Sequence, residues 1–217
     1  MKIGILGSGE VGRKLAAGCI DLGHHVMIGT RNPAKEEIRK WIDNTEHKEN
    51  ACVGSFAEAA TFGELIIIST LWGGTENAIN MAISSNFNDK IVVDTTNPLE
   101  FAKDVPPKLS LGYDKSAGEI IQSMLPNSKV VKAFNIVGNP HMVHPDFPGG
   151  PPTMFICGNF KDAKNQVVEK LLIPFGWESI DIGGIEQSRL LEPLAMLWIT
   201  YYIETGSGNH AFKLLKK

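Results

Sequence analysis

The chain has only three cysteines in 217 residues. Cys19, Cys52 and Cys157 lie far apart, so they form neither a disulfide framework nor a CxxC zinc pair. They read as small apolar residues of a reducing compartment. A long hydrophobic run is also missing. The most apolar stretch, Leu190 to Tyr202, holds Glu192 and Pro193 and is too short to span a bilayer. The opening MKIGILGSGEVG reaches its glycines too early for the apolar core of a signal peptide. These features predict a cytoplasmic protein with no membrane partner. Positive charge is not in excess either: 21 Lys and Arg against 24 Asp and Glu give a formal net charge of -3. A general nucleic-acid binder needs a basic footprint for phosphates, so no nucleic-acid partner is expected. HExxH and GxSxG motifs are absent. His141 and His144 form an HxxH pair in a Pro-rich stretch, but no carboxylate completes a ligand set, so no metal is expected.

What is present is an ordinary globular composition, 43% hydrophobic and 21% charged, which excludes disorder and allows a sizeable core. The first half alternates strand and helix patterns. Residues 2–6, 25–29, 51–53, 64–69, 90–94 and 129–133 are short apolar, β-branched runs that predict buried strands. Between them, helical spacing covers 10–22, a stretch opened by Pro33, 56–61, 75–84 and 117–124. Ser55 and Glu58 have capping-box spacing. Pro106-Pro107 reads as a loop. The Pro/Gly-rich stretch 141–152 reads as an exposed connection. A strand (153–157), a helix (161–172), a strand (178–182) and an apolar helix follow.

The strongest motif is Gly7-Ser8-Gly9-Glu10-Val11-Gly12. It follows a predicted strand and opens a predicted helix, the context a dinucleotide site requires. Gly7 permits the tight turn, Gly9 the approach of a pyrophosphate, and Gly12 close helix packing. With the strand–helix alternation, this predicts a Rossmann α/β fold. Its doubly wound, mostly parallel sheet carries helices on both faces, with a small C-terminal α/β extension. Residues 1–138 would form the nucleotide-binding domain and 139–217 the small C-terminal domain.

The end of the second strand reads Gly29-Thr30-Arg31-Asn32. An NAD site would carry an acid there, to hold the ribose hydroxyls. Arg31 instead offers paired N–H groups to a 2′-phosphate, with Thr30 as a further donor and Lys35 as added charge. NADP(H) is therefore the expected cofactor; the bland alternative is a solvated Arg31. Ser69-Thr70-Leu71-Trp72, Asn97-Pro98 and Phe134-Asn135-Ile136-Val137 follow later strands and face the same crevice.

Candidate acid–base groups are scattered. Asp94 ends a strand beside the crevice, where a carboxylate often only bonds backbone. Glu192 opens the last helix and reads equally as a dipole partner. No catalytic side chain is assigned. Hydride transfer between two stacked rings needs little acid–base help, and the small and apolar strand ends suit that chemistry.

The stretches MKIGILGSGEVG, IGTRNP, IIIST, VVDTTNP, VVKAFN, FICGN and SRLLEPLAMLWITYYIETGSGNHAFKL resemble the NADPH-dependent coenzyme F420 reductases across essentially the whole chain. VKAFN and CGN are also similar to the cytosolic reductase domain of the six-transmembrane ferric reductases. The resemblance implies a small-molecule redox acceptor, a deazaflavin bound between the two domains, and transfer from nicotinamide C4 to deazaflavin C5. It implies Gly9, Glu10, Val11, Thr30, Arg31 and Lys35 for NADP, and Asn97, Pro98, Asn135, Ile136, Val137 and His210 for the deazaflavin. Alternatives remain: reduction of free flavin, a ferric chelate or a small carbonyl, or a non-catalytic NADP(H) redox sensor. The last helix is apolar nearly all round, which fits either core burial or a homodimer.

Overall fold

A computed structural model describes every residue of the chain except Asp104. Six strands make the central sheet: β1 (Lys2–Leu6), β2 (His25–Gly29), β3 (Ala51–Gly54), β4 (Leu65–Ile68), β5 (Ile91–Asp94) and β8 (Lys129–Lys132). Their spatial order is β3-β2-β1-β4-β5-β8, and every pair is parallel. Strand order therefore reverses between β1 and β4, where a doubly wound sheet opens its ligand crevice.

The period-2 pleat divides the strand residues between two cores. Ile3, Ile5, Leu65, Ile67, Val93 and Val131 belong to one buried cluster. Leu6, Ile66, Ile68, Val92 and Val130 belong to the other. Burial on both faces explains why these strands read as continuous apolar runs. Helices α1 (Glu10–Asp21) and α2 (Glu36–Asn44) cover the first face through residues such as Leu15 and Ile38. Helices α3 (Phe56–Phe62), α4 (Trp72–Ala82) and α5 (Ala117–Met124) cover the second through Phe56, Ile79 and Ile121.

After β8 the chain builds a parallel pair, β9 (Thr153–Ile156) and β10 (Glu178–Asp181). Helix α6 (Lys161–Val167) joins them and widens into a π turn at Val168–Leu172. An antiparallel bridge between Lys132 and Cys157 seats β9 beside the sheet. The first buried cluster continues into this part through Met154, Leu171, Phe175 and Leu191. Helix α7 (Ser188–Thr205) closes the fold, and the tail returns to β9 through Thr153 N donating to Phe212 O. Among the described residues, no helix is long and apolar enough to cross a membrane.

Three elements differ from the sequence expectation. Strands β6 (Leu99–Ala102) and β7 (Val105–Leu109) pair antiparallel, where Pro106-Pro107 suggested a loop. A two-stranded ribbon leaves one edge of each strand unpaired, so proline is tolerated there. Helix α4 begins at Trp72 rather than Thr75. A first turn needs no donors, and the Thr75 hydroxyl bonds Leu71 O at 3.2 Å, which supports Gly73 and Gly74 in helical form. Pro33 precedes α2 instead of opening it. The Asn32 side-chain Oδ1 accepts from Ala34 N at 3.1 Å, and this local turn delays the helix to Glu36.

Candidate functional site

The glycine loop sits between β1 and α1, at the reversal of strand order. Gly7 has φ +126°, a region L side chains avoid. A Cβ on Gly12 would lie 2.1 Å from Gly7 O, so this helix packs where only glycine fits. Ser69, at the end of β4, supports the turn from below by donating toward Leu6 O at 3.2 Å. Gly9 is different: a Cβ there meets nothing within 4 Å. It is the N-cap of α1, and no side chain caps that helix end. The first-turn N–H groups, with the helix dipole behind them, thus face open space. The loop has the room and the donors that a pyrophosphate requires.

The end of β2 lies beside this loop. The Ser8 hydroxyl donates to Thr30 Oγ1 at 3.3 Å, and Thr30 is buried. Arg31 is exposed and has no hydrogen-bond or carboxylate partner among the described residues. Lys35 is the N-cap residue of α2, and its Nζ lies 2.6 Å from Glu37 Oε2. Arg13, on α1, pairs with the other Glu37 oxygen. Together the Lys35 ammonium and the Arg13 guanidinium draw the Glu37 carboxyl down to about 2.

Further along the crevice, Leu71 is exposed, Trp72 is half-buried, and the Thr70 hydroxyl pairs with Thr75 at 2.8 Å. Asn97 and Asn135 lock together. Asn97 Nδ2 donates to Asn135 O at 2.7 Å, and Asn135 Nδ2 donates to Asn97 Oδ1 at 2.9 Å and to Leu191 O at 3.0 Å. Pro98 is buried beside them. Phe134 adopts φ +62° while fully buried, an uncommon conformation for a bulky residue. It turns the chain out of β8 so that Asn135, Ile136 and Val137 follow at the sheet end. The Glu10 carboxylate accepts from Asn139 Nδ2 at 3.4 Å, which ties the start of α1 to the segment after β8.

His210 stands apart from the sheet end. Its ring stacks on Trp198 at 4.5 Å, and its two nitrogens face Ser207 O and Trp198 O. Trp198 in turn abuts Gly138, where a Cβ would sit 2.8 Å from the indole. His141 lies 3.1 Å from Asn209 Oδ1 and packs on Phe147, while His144 packs on Phe175.

Asp94 and Glu192 meet at a residue the motif search passed over. Lys132 is fully buried, with Nζ 2.9 Å from Asp94 Oδ2 and 2.8 Å from Glu192 Oε1. Burial alone would push this ammonium down, but the two carboxylates outweigh burial and hold it above the usual lysine range. Glu192 also accepts from Ala117 N and Gly118 N, so it caps α5 rather than its own helix. Asp94 accepts from Thr96 N at 2.8 Å. The signal was in the sequence: a lysine inside the apolar run VVKAF has to bury its charge with partners. The Arg13–Glu37 contact left no such signal, because i and i+24 on separate helices share no local pattern.

Comparison with known proteins agrees with this geometry. A family profile described as "NADP oxidoreductase coenzyme F420-dependent" matches residues 2–98. The F420-dependent NADP reductase of Methanocaldococcus jannaschii is 32% identical, over 99% of this chain and 98% of that protein. The metalloreductase STEAP3 of Rattus norvegicus is 29% identical over 90% of this chain, but the match spans only 37% of that protein. A crystal structure of an Arthrobacter sp. FB24 protein assigned as an F420-dependent NADP reductase superposes with a TM-score of 0.93 and 35% identity, covering 100% of both chains. Full-length identity to a named reductase, on a sheet whose glycine loop is shaped for a dinucleotide, shows that the chain belongs to the coenzyme F420-dependent NADP oxidoreductase family and is an NADP-dependent oxidoreductase.

Proposed function

We propose that this enzyme transfers a hydride directly between NADP(H) and a deazaflavin such as coenzyme F420, without a catalytic side chain. One observation carries the reading. The ionisable groups at the ends of β5 and β8 are Asp94 and Lys132, and with Glu192 they form one buried ion-pair network whose carboxylates also accept from backbone N–H groups. Both carboxylates are buried and held by partners inside the core instead of opening onto the crevice. NADPH supplies the hydride when it is bound. The chain binds and orients. The first-turn N–H groups of α1, beside Gly9, hold the pyrophosphate. Thr30, Arg31 and Lys35 hold the 2′-phosphate, with Asn32 shaping the turn beneath. Ser69 to Trp72 flank the ribose side. Asn97, Pro98 and Phe134 to Val137 wall the ring slot, and the acceptor lies between the segments 1–138 and 139–217, with His210 on its outer rim. Pro98, Ile136 and Val137 give the slot an apolar side, which favours ring-to-ring transfer over proton-coupled steps.

Direct transfer is tested with NADPH deuterated at C4. The label is expected at C5 of the reduced deazaflavin, undiluted by solvent. Loss of the label to water would contradict direct transfer. For the cofactor, Arg31→Ala is expected to weaken NADPH binding by about tenfold to a hundredfold, the size of one or two charge-assisted hydrogen bonds, while NADH binding changes little. Equal losses for both nucleotides would remove Arg31 from the site.

The enzyme is further proposed to be a homodimer of the cytoplasm, paired through α7. Leu190, Leu197 and Tyr201 are each more than half exposed, on a helix whose Leu191, Glu192 and Ala195 are buried. Their spacing of seven and four puts them on one stripe. Leu197→Glu is expected to convert a dimer to a monomer by light scattering. A wild-type monomer at micromolar concentration would contradict this pairing.

A further inference from the structure

Three cations gather around the end of β2, and one carboxylate occupies two of them. Glu37 holds Lys35 at 2.6 Å through one oxygen and Arg13 through the other. Arg31 pairs with nothing among the described residues. The neighbouring acid, Glu36, points elsewhere and pairs with Lys40 at 2.7 Å, one turn on. Both acids suit the N-terminal dipole of α2, so the dipole alone does not explain why Glu37 faces the cations.

A 2′-phosphate beside Arg31 brings a second anion to this cluster. To use Lys35, it must compete with Glu37 for the ammonium, whether the three N–H donors are shared or turned wholly to the phosphate. The pair is exposed, so it opens at small cost. The carboxylate stays anchored by Arg13, however, and stays ionised, because Arg13 still favours the charged form. It then stands as a like charge near the phosphate. A nucleotide with a plain 2′-hydroxyl leaves the Lys35–Glu37 pair closed and meets no such repulsion.

We infer that Glu37 is a specificity-determining residue: a built-in counter-charge that competes with the 2′-phosphate for Lys35 and limits the preference for NADP(H) over NAD(H). The inference rests on the cofactor-site reading above. It assigns to a carboxylate of this chain the role of weakening the favoured cofactor.

The test is nucleotide affinity in Glu37→Gln, by fluorescence or calorimetry, with Glu36→Gln as control. Both variants remove one exposed negative charge from the same helix turn. Glu37→Gln is expected to tighten NADPH and NADP⁺ binding by about threefold to tenfold, the scale of one screened charge beside another. NADH affinity should stay within about twofold, and Glu36→Gln should change neither nucleotide by more than that, because Glu36 pairs with Lys40 and not with the cations of this cluster. Weaker NADPH binding in Glu37→Gln would mean that the carboxylate organises the cations, and would overturn the inference. So would unchanged NADPH binding, or equal tightening in both variants. Arg31→Ala separates the two levels. If it loses NADPH selectively while Glu37→Gln is silent, the cofactor site stands and the inference fails. If Arg31→Ala costs both nucleotides equally, the site reading itself fails.

Discussion

Lys132→Met is expected to destabilise the fold by about 3–5 kcal/mol, the cost of stranding buried charge when one partner of a buried pair is removed. Lys132 is fully buried and is the cation that Asp94 and Glu192 share. Without it, two carboxylates remain in the core with only backbone N–H partners. A loss of that size is a large fraction of the stability of a domain of this length. The three residues come from β5, β8 and α7, so their separation loosens the join between the sheet and the last helix. Urea denaturation reads the effect as a lower midpoint. An unchanged midpoint would mean that the triad contributes nothing net. The pH dependence has a definite sign. The Lys132 ammonium is held above its ordinary value of 10.5. Its contribution to stability is therefore full below pH 10.5 and is lost as pH rises through the higher folded value. Wild type is expected to lose this increment only in strong alkali, and Lys132→Met to show no such step.

Gly9→Ala is expected to leave stability unchanged while weakening NADPH binding by about a hundredfold, or about 2.7 kcal/mol. Gly9 has φ -73° and ψ -175°, which any residue adopts. A Cβ there touches nothing in the protein, so only a ligand can object to it. Gly12→Ala makes the contrast. Its Cβ would sit 2.1 Å from Gly7 O, so helix and strand must separate, and both folding and binding should suffer. Thermal unfolding beside nucleotide titration distinguishes the two. Equal NADPH affinity in Gly9→Ala and wild type would show that the pyrophosphate lies elsewhere.

The fold was legible because its signals are local. Apolar β-branched strands such as Leu65–Ile68, the Ser55–Glu58 capping box and the glycine loop each carry their meaning within a few residues, and all appear where expected. The same holds for the Thr30-Arg31 end of β2, which sits beside the loop. What was illegible depends on distance in sequence. The capping box at Ser55 could be read, but not the use of Glu192 to cap α5 from 74 residues away. Asp94 and Glu192 looked like separate acid–base candidates, and only their meeting at Lys132 shows both to be held in one buried ion-pair network. The pairing of β6 with β7 was hidden by Pro106 and Pro107, whose loop preference is overridden where a strand edge faces outward.

The account centres on NADPH as hydride donor to a deazaflavin. Its most direct test mixes the purified enzyme anaerobically with NADPH and oxidised coenzyme F420 and follows bleaching of the deazaflavin. FMN, FAD and a ferric chelate serve as rival acceptors, and NADH as the rival donor. Direct transfer from NADPH to a deazaflavin predicts rapid bleaching with NADPH, far slower bleaching with NADH, and slow reduction of the rival acceptors. Tight NADPH binding without deazaflavin reduction would contradict it. Turnover of a flavin or ferric chelate would then mark a different reductase, and failure of every acceptor would mark a redox sensor.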